Sequence, residues 1–162
     1  MNKIRMKIRD VTHEDKAALI SLCQITELFQ PNELEELSSM LSAYFEDGLD
    51  GEHKWLTDEE DGQLRGVAYY AEETFANGVS NLLLIAVHPE YQRKGRGTEF
   101  LRHVEAELRR MGKRILIIET SSLDSFEATR AFYRKNGYDE EARIREYYNP
   151  GEDKIVFRKV LL

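Results

Sequence analysis

Leu82-Leu83-Leu84-Ile85-Ala86-Val87 runs directly into His88-Pro89-Glu90-Tyr91-Gln92-Arg93-Lys94-Gly95-Arg96-Gly97-Thr98. Six successive apolar residues ended by His-Pro read as a strand covered on both faces. The segment after it opens an amphipathic helix over residues 97–111. Phe100, Leu101, Val104, Leu108 and Met111 share one side of that helix, and Gly112 stops it. A loop between a buried strand and a helix start points several unpaired N–H groups one way, and the helix dipole adds partial positive charge. Gly95 and Gly97 remove side chains that would block close approach, and their access to positive φ lets successive amides converge. Such a loop suits a phosphate or pyrophosphate, with Arg93, Lys94 and Arg96 adding charge around it. The spacing is neither G-x-x-x-x-G-K followed by Ser or Thr, nor G-x-G-x-x-G, which disfavours an NTPase and a dinucleotide site. The bland alternative is a flexible basic turn.

Working outward, residues 115–118 form a second apolar strand. Asp124 and Glu127 have capping-box spacing for a helix that ends at Asn136-Gly137. Residues 138–144 and 154–160 read as closing strands joined through Asn149-Pro150-Gly151. Toward the N-terminus, Asn77-Gly78 and Asp61-Gly62 are turn signals, the latter joining strands over residues 53–57 and 64–71. Pro31-Asn32 breaks the chain, and Asn32 with Glu35 is expected to cap a helix whose stripe is Leu34, Leu37, Leu41 and Tyr44. Thr12 with Asp15 caps an earlier helix bearing Leu19, Leu22 and Cys23, and Ile4, Met6 and Ile8 alternate as a first strand. The order βααβββαβαββ predicts an α/β fold with a mixed sheet.

The 162 residues suit one domain, 1–162, since no repeat or linker interrupts them. Hydrophobic residues make up 41% and charged residues 33%, a globular rather than disordered composition. No stretch approaches the roughly 18 apolar residues of a membrane span, and residues 1–10 lack the apolar centre of a signal peptide. A cytoplasmic protein without membrane contact is expected. A single cysteine and four scattered histidines give neither a disulfide nor metal-ligand spacing, so no metal is expected. A net charge of −7 argues against a nucleic-acid partner. Charge is uneven, with eleven acids and one base over residues 33–61 against eight bases and three acids over residues 93–114.

Gln92-x-x-Gly95-x-Gly97, after a strand ending Ile85-Ala86-Val87, resembles the acyl-CoA motif of the GNAT superfamily of N-acetyltransferases. Thr129-Arg130-Ala131-Phe132-Tyr133-Arg134-Lys135-Asn136-Gly137-Tyr138 resembles that family's helix-then-strand segment. The resemblance implies a mostly antiparallel sheet splayed between two central parallel strands, with helices on both faces. It implies acetyl-CoA as co-substrate, with Ile85 and Val87 along its pantetheine arm. The amides of Gln92, Arg93, Lys94, Gly95, Arg96, Gly97 and Thr98 would hold its pyrophosphate. Tyr133 falls where many members place the acid that protonates the leaving thiolate, and the Val87 N–H would donate to the thioester carbonyl. Phe126 stands where many relatives have a cofactor-contacting Asn, leaving Ser122 or Ser125 as substitutes. Dimers are common in the family, so a homodimer is open. The acceptor would be a small-molecule or peptide amine.

Direct transfer to an amine needs positioning, an oxyanion donor and acid–base help, but no nucleophilic Cys or Ser. Glu119 ends an apolar strand, a costly place for a carboxylate without water, a partner or substrate, and is the expected acceptor-binding base. Glu72 or Glu73 is the fallback. The bland readings place Tyr133, Trp55 and Cys23 in the core, His88 in a turn, and Tyr147 and Tyr148 in loop packing. A binding module that keeps acyl-CoA without turnover is the competing function.

Overall fold

The fold is that of a computed structural model, described over residues 6–46 and 53–162. Among the described residues, the strands are β1 (Lys7–Asp10), β2 (His53–Glu60), β3 (Gln63–Glu72), β4 (Val79–Val87), β5 (Ile115–Ser121), β6 (Asp139–Asn149) and β7 (Glu152–Val160). The helices are α1 (Lys16–Ile25), α2 (Pro31–Glu46), α3 (Arg96–Arg110) and α4 (Glu127–Lys135). The expected order βααβββαβαββ is the observed one. The seven strands form one mixed sheet in the order β1-β2-β3-β4-β5-β7-β6. β4 and β5 pair in parallel, while β1–β2, β2–β3, β5–β7 and β6–β7 are antiparallel.

By packing, the chain divides into two units, Met1–Ala71 with Leu84–Val104 and Glu72–Leu83 with Glu105–Leu162. In the first unit, Asp61 and Gly62 take φ of 53° and 77° and close the two-residue β2–β3 hairpin. One sheet face carries Trp55, Val67, Tyr69, Leu84 and Ala86, packed on Leu19, Leu22 and Cys23 of α1 and Leu37 and Leu41 of α2. Asp58 and Gly66 are opposite partners on the other face. A Cβ on Gly66 would lie 3.5 Å from the Phe100 ring, so α3 packs on that second face. Trp55 stacks on Tyr69 at 4.3 Å, and burial pushes the Cys23 thiol up to about 11, as core positions require.

In the second unit the β4–β5 ladder runs through four pairs, from Val79↔Ile115 to Leu82↔Ile118. Beyond it, Glu119, Thr120 and Ser121 pair with Val156, Ile155 and Lys154 of β7. Tyr138 donates to Glu105 at 2.7 Å, and the Lys159 ammonium reaches the same carboxylate at 3.0 Å.

Several local expectations are corrected. The first strand begins at Lys7, and Ile4 lies outside the described residues. Asn32 does not cap α2: Pro31 is its first residue, where a fixed φ and a missing N–H cost nothing. Met111 is 54% exposed because α3 ends at Arg110 and Gly112 turns the chain away. Leu83 is 49% exposed, so β4 is not covered on both faces along its whole length.

At the N-terminal side the capping pair is present, with one 3₁₀ turn before α1. The Thr12 N–H donates to Asp15 Oδ2 at 2.7 Å, and Arg9 reaches the same carboxylate at 2.7 and 2.9 Å. The Arg9 hydrogen bonds hold the Asp15 carboxyl below its ordinary range, against the desolvation that raises it. A depressed carboxyl stabilises the fold above its unfolded pKa and loses that contribution as pH falls through the folded value. Asp15→Ala should therefore lower stability at pH 7 by about 1–2 kcal/mol. In urea unfolding the gap to wild type should close below the ordinary Asp range. A gap independent of pH would contradict this.

Candidate active site

β4 carries the chain into the motif. Leu84 and Ala86 face the core, so strand alternation turns Leu83, Ile85 and Val87 to the other side, where Leu83 is exposed and the other two are half-buried. Leu83 is an addition to the expected pair. An apolar run gives no sign of where a neighbouring ladder ends, and Leu83 is the first residue past it.

His88 then caps a 3₁₀ turn, Pro89–Tyr91, accepting at Nδ1 from the Glu90 N–H at 3.1 Å. That is the turn role expected of it. The Gln92 side chain donates to the Val87 carbonyl at 2.9 Å and folds the loop back on its own strand. Arg93 and Gly95 adopt φ of 62° and 79°. Gly97 does not: it is the second residue of α3, and the left-handed positions are Arg93 and Gly95 instead. A left-handed non-glycine costs roughly 1–2 kcal/mol, so Arg93 marks strain held by its surroundings.

The N–H groups of Arg93, Lys94 and Gly95 have no backbone acceptor among the described residues. The Glu99 N–H, bonded to the Gly95 carbonyl at 3.1 Å, makes the first bond of α3. The N–H groups of Arg96, Gly97 and Thr98 precede it and are the open donors of the helix start. Six successive amides, Arg93 to Thr98, are thus free for an anion, with the exposed side chains of Arg93 and Lys94 beside them. The pyrophosphate of a CoA fits this donor set. Arg96 contributes differently: its guanidinium is 6% exposed and bonds Asp58 at 2.5 Å and Glu60 at 2.9 Å.

Tyr133, on α4, is buried against Phe157 and Tyr138, with ring centroids 5.5 and 6.1 Å away. Desolvation raises its pKa well above the ordinary phenol value, so the hydroxyl stays protonated at working pH. Among the described residues that hydroxyl has no hydrogen-bond partner. Glu119 meets a partner the sequence did not announce. The Lys154 ammonium lies 3.1 Å from its carboxylate and 3.6 Å from the centre of the Tyr147 ring. Hydrogen bonds to Tyr147 and Glu119 raise Lys154, against its own desolvation.

Glu72 is paired with Lys113, and Glu73 accepts from Asn81 at 3.2 Å. The Glu73 N–H donates to the Val79 carbonyl at 2.9 Å, at the opposite end of β4 from Val87. Ser122 is engaged with the β7 start, accepting from the Asp153 N–H at 2.7 Å, while Ser125 is exposed.

Residues 21–138 match the model of the acetyltransferase (GNAT) family. The chain belongs to that family. No curated protein matches the chain in sequence. Among solved structures, a GNAT-family protein from Desulfovibrio desulfuricans is 28% identical, with a TM-score of 0.93 over 98% of this chain and 100% of that one. The ribosomal-protein-S18-alanine N-acetyltransferase of Escherichia coli shares the fold at 22% identity and a TM-score of 0.79, covering 97% of this chain and 94% of its own. An acetyltransferase from Salmonella typhimurium, solved with its cofactor acetyl-CoA, does so at 20% identity and 0.74, covering 98% and 95%. The GNAT fold expected from the motifs, with its central parallel pair, is therefore the fold of this chain.

The two neighbouring tyrosines should separate cleanly in stability. Tyr133→Phe removes a hydroxyl without a partner, so urea unfolding should change by less than about 1 kcal/mol. Tyr138→Phe removes a hydrogen bond to the buried Glu105 carboxylate and should cost about 1.5–3 kcal/mol. Equal losses in both variants would show that the Tyr133 hydroxyl is structurally engaged.

Proposed function

We propose that this GNAT protein is an N-acetyltransferase that moves the acetyl group of acetyl-CoA directly to a primary amine. One observation carries the reading: the row of open amides from Arg93 to Thr98, flanked by exposed Arg93 and Lys94, following the half-exposed apolar side of β4. The full chain is read as one acyltransferase domain acting in the cytoplasm, alone or as a homodimer. Among the described residues no helix is long and apolar enough to cross a membrane. Support for the co-substrate comes from the related fold solved with acetyl-CoA, and support for an amine acceptor from the relative named for an alanine of a ribosomal protein. The acceptor class is a small-molecule or peptide primary amine.

Acetyl-CoA, when bound, supplies the activated thioester. The residues do the rest. The loop amides fix the pyrophosphate, and Leu83, Ile85 and Val87 offer an apolar edge to the pantetheine arm. The Val87 N–H donates to the thioester carbonyl as negative charge develops there. Glu119 attracts the acceptor ammonium and takes its proton through water. As the C–N bond forms and the C–S bond breaks, the Tyr133 hydroxyl gives its proton to the thiolate and regains one from solvent. Desolvation raises the Tyr133 pKa, so the hydroxyl is protonated and available as the donor.

Two experiments test these assignments. Acetyl-CoA should raise the Tm of the wild type by mass action, and Gly97→Asp should abolish the shift, because a carboxylate among the loop amides repels the pyrophosphate. An unchanged shift would move the co-substrate elsewhere. With an amine that releases CoA thiol, Tyr133→Phe should lower kcat by about 10²–10⁴-fold with little change in KM for acetyl-CoA. In Glu119→Gln the amine KM should rise and the acidic limb of kcat/KM should flatten. Wild-type values for both would leave Glu119 as the structural partner of Lys154.

A further inference from the structure

Within the first unit, a largely buried chain of alternating charges ties the anion loop to β2 and β3. Arg96 stands between the two loop glycines, and its guanidinium bonds Asp58 at 2.5 Å and Glu60 at 2.9 Å. Asp58 is 0% exposed. Glu60 also pairs with Arg65, whose guanidinium lies 3.9 Å from the centre of the Tyr91 ring. The Arg65 carbonyl accepts the His88 N–H at 2.8 Å, where the loop leaves β4. Arg65 of β3 thus holds the entry of the loop, and Asp58 and Glu60 of β2 hold its exit into α3.

The strand register shows how these groups come to one place. Asp58 pairs with Gly66 but Glu59 pairs with Leu64, so Arg65 is the extra residue of a β-bulge. Leu64 packs toward the apolar core on one face, and Asp58 and Glu60 point to the other. Regular alternation would send Arg65 to the core side. The bulge re-aims it toward Glu60 and Tyr91. Burying the Asp58 carboxylate and the Arg96 guanidinium, with Glu60 and Arg65 half-buried beside them, is expensive, and hydrophobic residues of similar volume would serve stability as well or better. Three atoms of the chain, Asp58 Oδ1, Arg65 Nε and Arg96 Nε, are buried with no hydrogen-bond partner, so the arrangement is not optimised for stability.

We infer that the Asp58–Arg96–Glu60–Arg65 chain, closed by Tyr91, is a positioning device that holds the amides of residues 93–98 in anion-binding geometry. The inference rests on the acyl-CoA reading for its ligand. Arg96 does not supply charge to the phosphates, because Asp58 and Glu60 neutralise it; its side chain fixes the backbone from which Gly95 and Gly97 extend. Arg93, strained at φ 62°, lies within the segment so held.

Three variants test this, read by Tm, by amide hydrogen exchange of the unliganded protein, and by CoA binding. Arg96→Met alone leaves Asp58 buried without its partner and should lower the Tm. The pair Asp58→Leu with Arg96→Met removes both charges and should return the Tm to within a few degrees of wild type. Its residues 92–98 should still exchange at least about tenfold faster, and its CoA Kd should rise at least about tenfold. A double variant with wild-type Tm, loop exchange and CoA Kd would overturn the inference. Should the double variant not fold, Tyr91→Leu, at a half-buried surface position, decides: faster exchange at residues 92–98 supports the device, and unchanged exchange overturns it. The exchange arm needs no ligand, so it reports on the device even if wild-type protein fails to bind CoA, which would instead defeat the acyl-CoA reading.

Discussion

The contact between Arg96 and the two carboxylates of β2 sets where the anion loop can lie. A guanidinium buried between Asp58 and Glu60 fixes not only a side chain but the Cα between Gly95 and Gly97. Open N–H donors bind an anion well only if they converge before it arrives, since ordering them on binding subtracts from the affinity. The loop has few apolar anchors of its own, and Gln92, Arg93, Lys94 and Gly95 are all exposed. Its order must come from its ends, and both ends are tied to β2 and β3. Electrostatics here does for a polar loop what packing does for the core beneath it.

The second unit shows the complementary problem at Glu119. A carboxylate at the end of an apolar strand needs a partner, and Lys154 provides one at 3.1 Å. An acceptor ammonium would have to compete with that ammonium or share the carboxylate with it. Lys154 is itself held by the Tyr147 ring, so the pair is a small network in which a second cation changes every member. Tyr133 presents the opposite case. Its hydroxyl has no partner among the described residues, as the proposed proton transfer to a thiolate would require.

Much of this was legible in the residues because it is local. The strand–loop–helix at residues 82–111, the Asp61-Gly62 hairpin and the Thr12–Asp15 cap are encoded within a few positions, where periodicity and turn chemistry speak directly. Partners distant in sequence were not legible. Asp58 precedes Arg96 by dozens of residues, and in the acidic stretch over residues 33–61 nothing separates it from solvated neighbours. Arg65 reaches Glu60 only because of a bulge, which shifts the register without marking the composition. Lys154 and Glu119 meet through antiparallel β5–β7 pairing, which neither segment announces alone. Where the sequence reading misplaced a detail, a competing local preference decided it: Pro31 took the first position of α2, and Arg93 rather than Gly97 took the left-handed conformation.

The open amides of the β4–α3 loop are the proposed seat of a CoA pyrophosphate. Amide hydrogen exchange of the wild-type chain, with and without saturating CoA, tests this assignment most directly. Slowed exchange across residues 92–98 is the expected result, because each N–H that gains a phosphate oxygen must break that bond before it exchanges. Binding that leaves exchange at residues 92–98 unchanged, with protection only elsewhere in the chain, would contradict it.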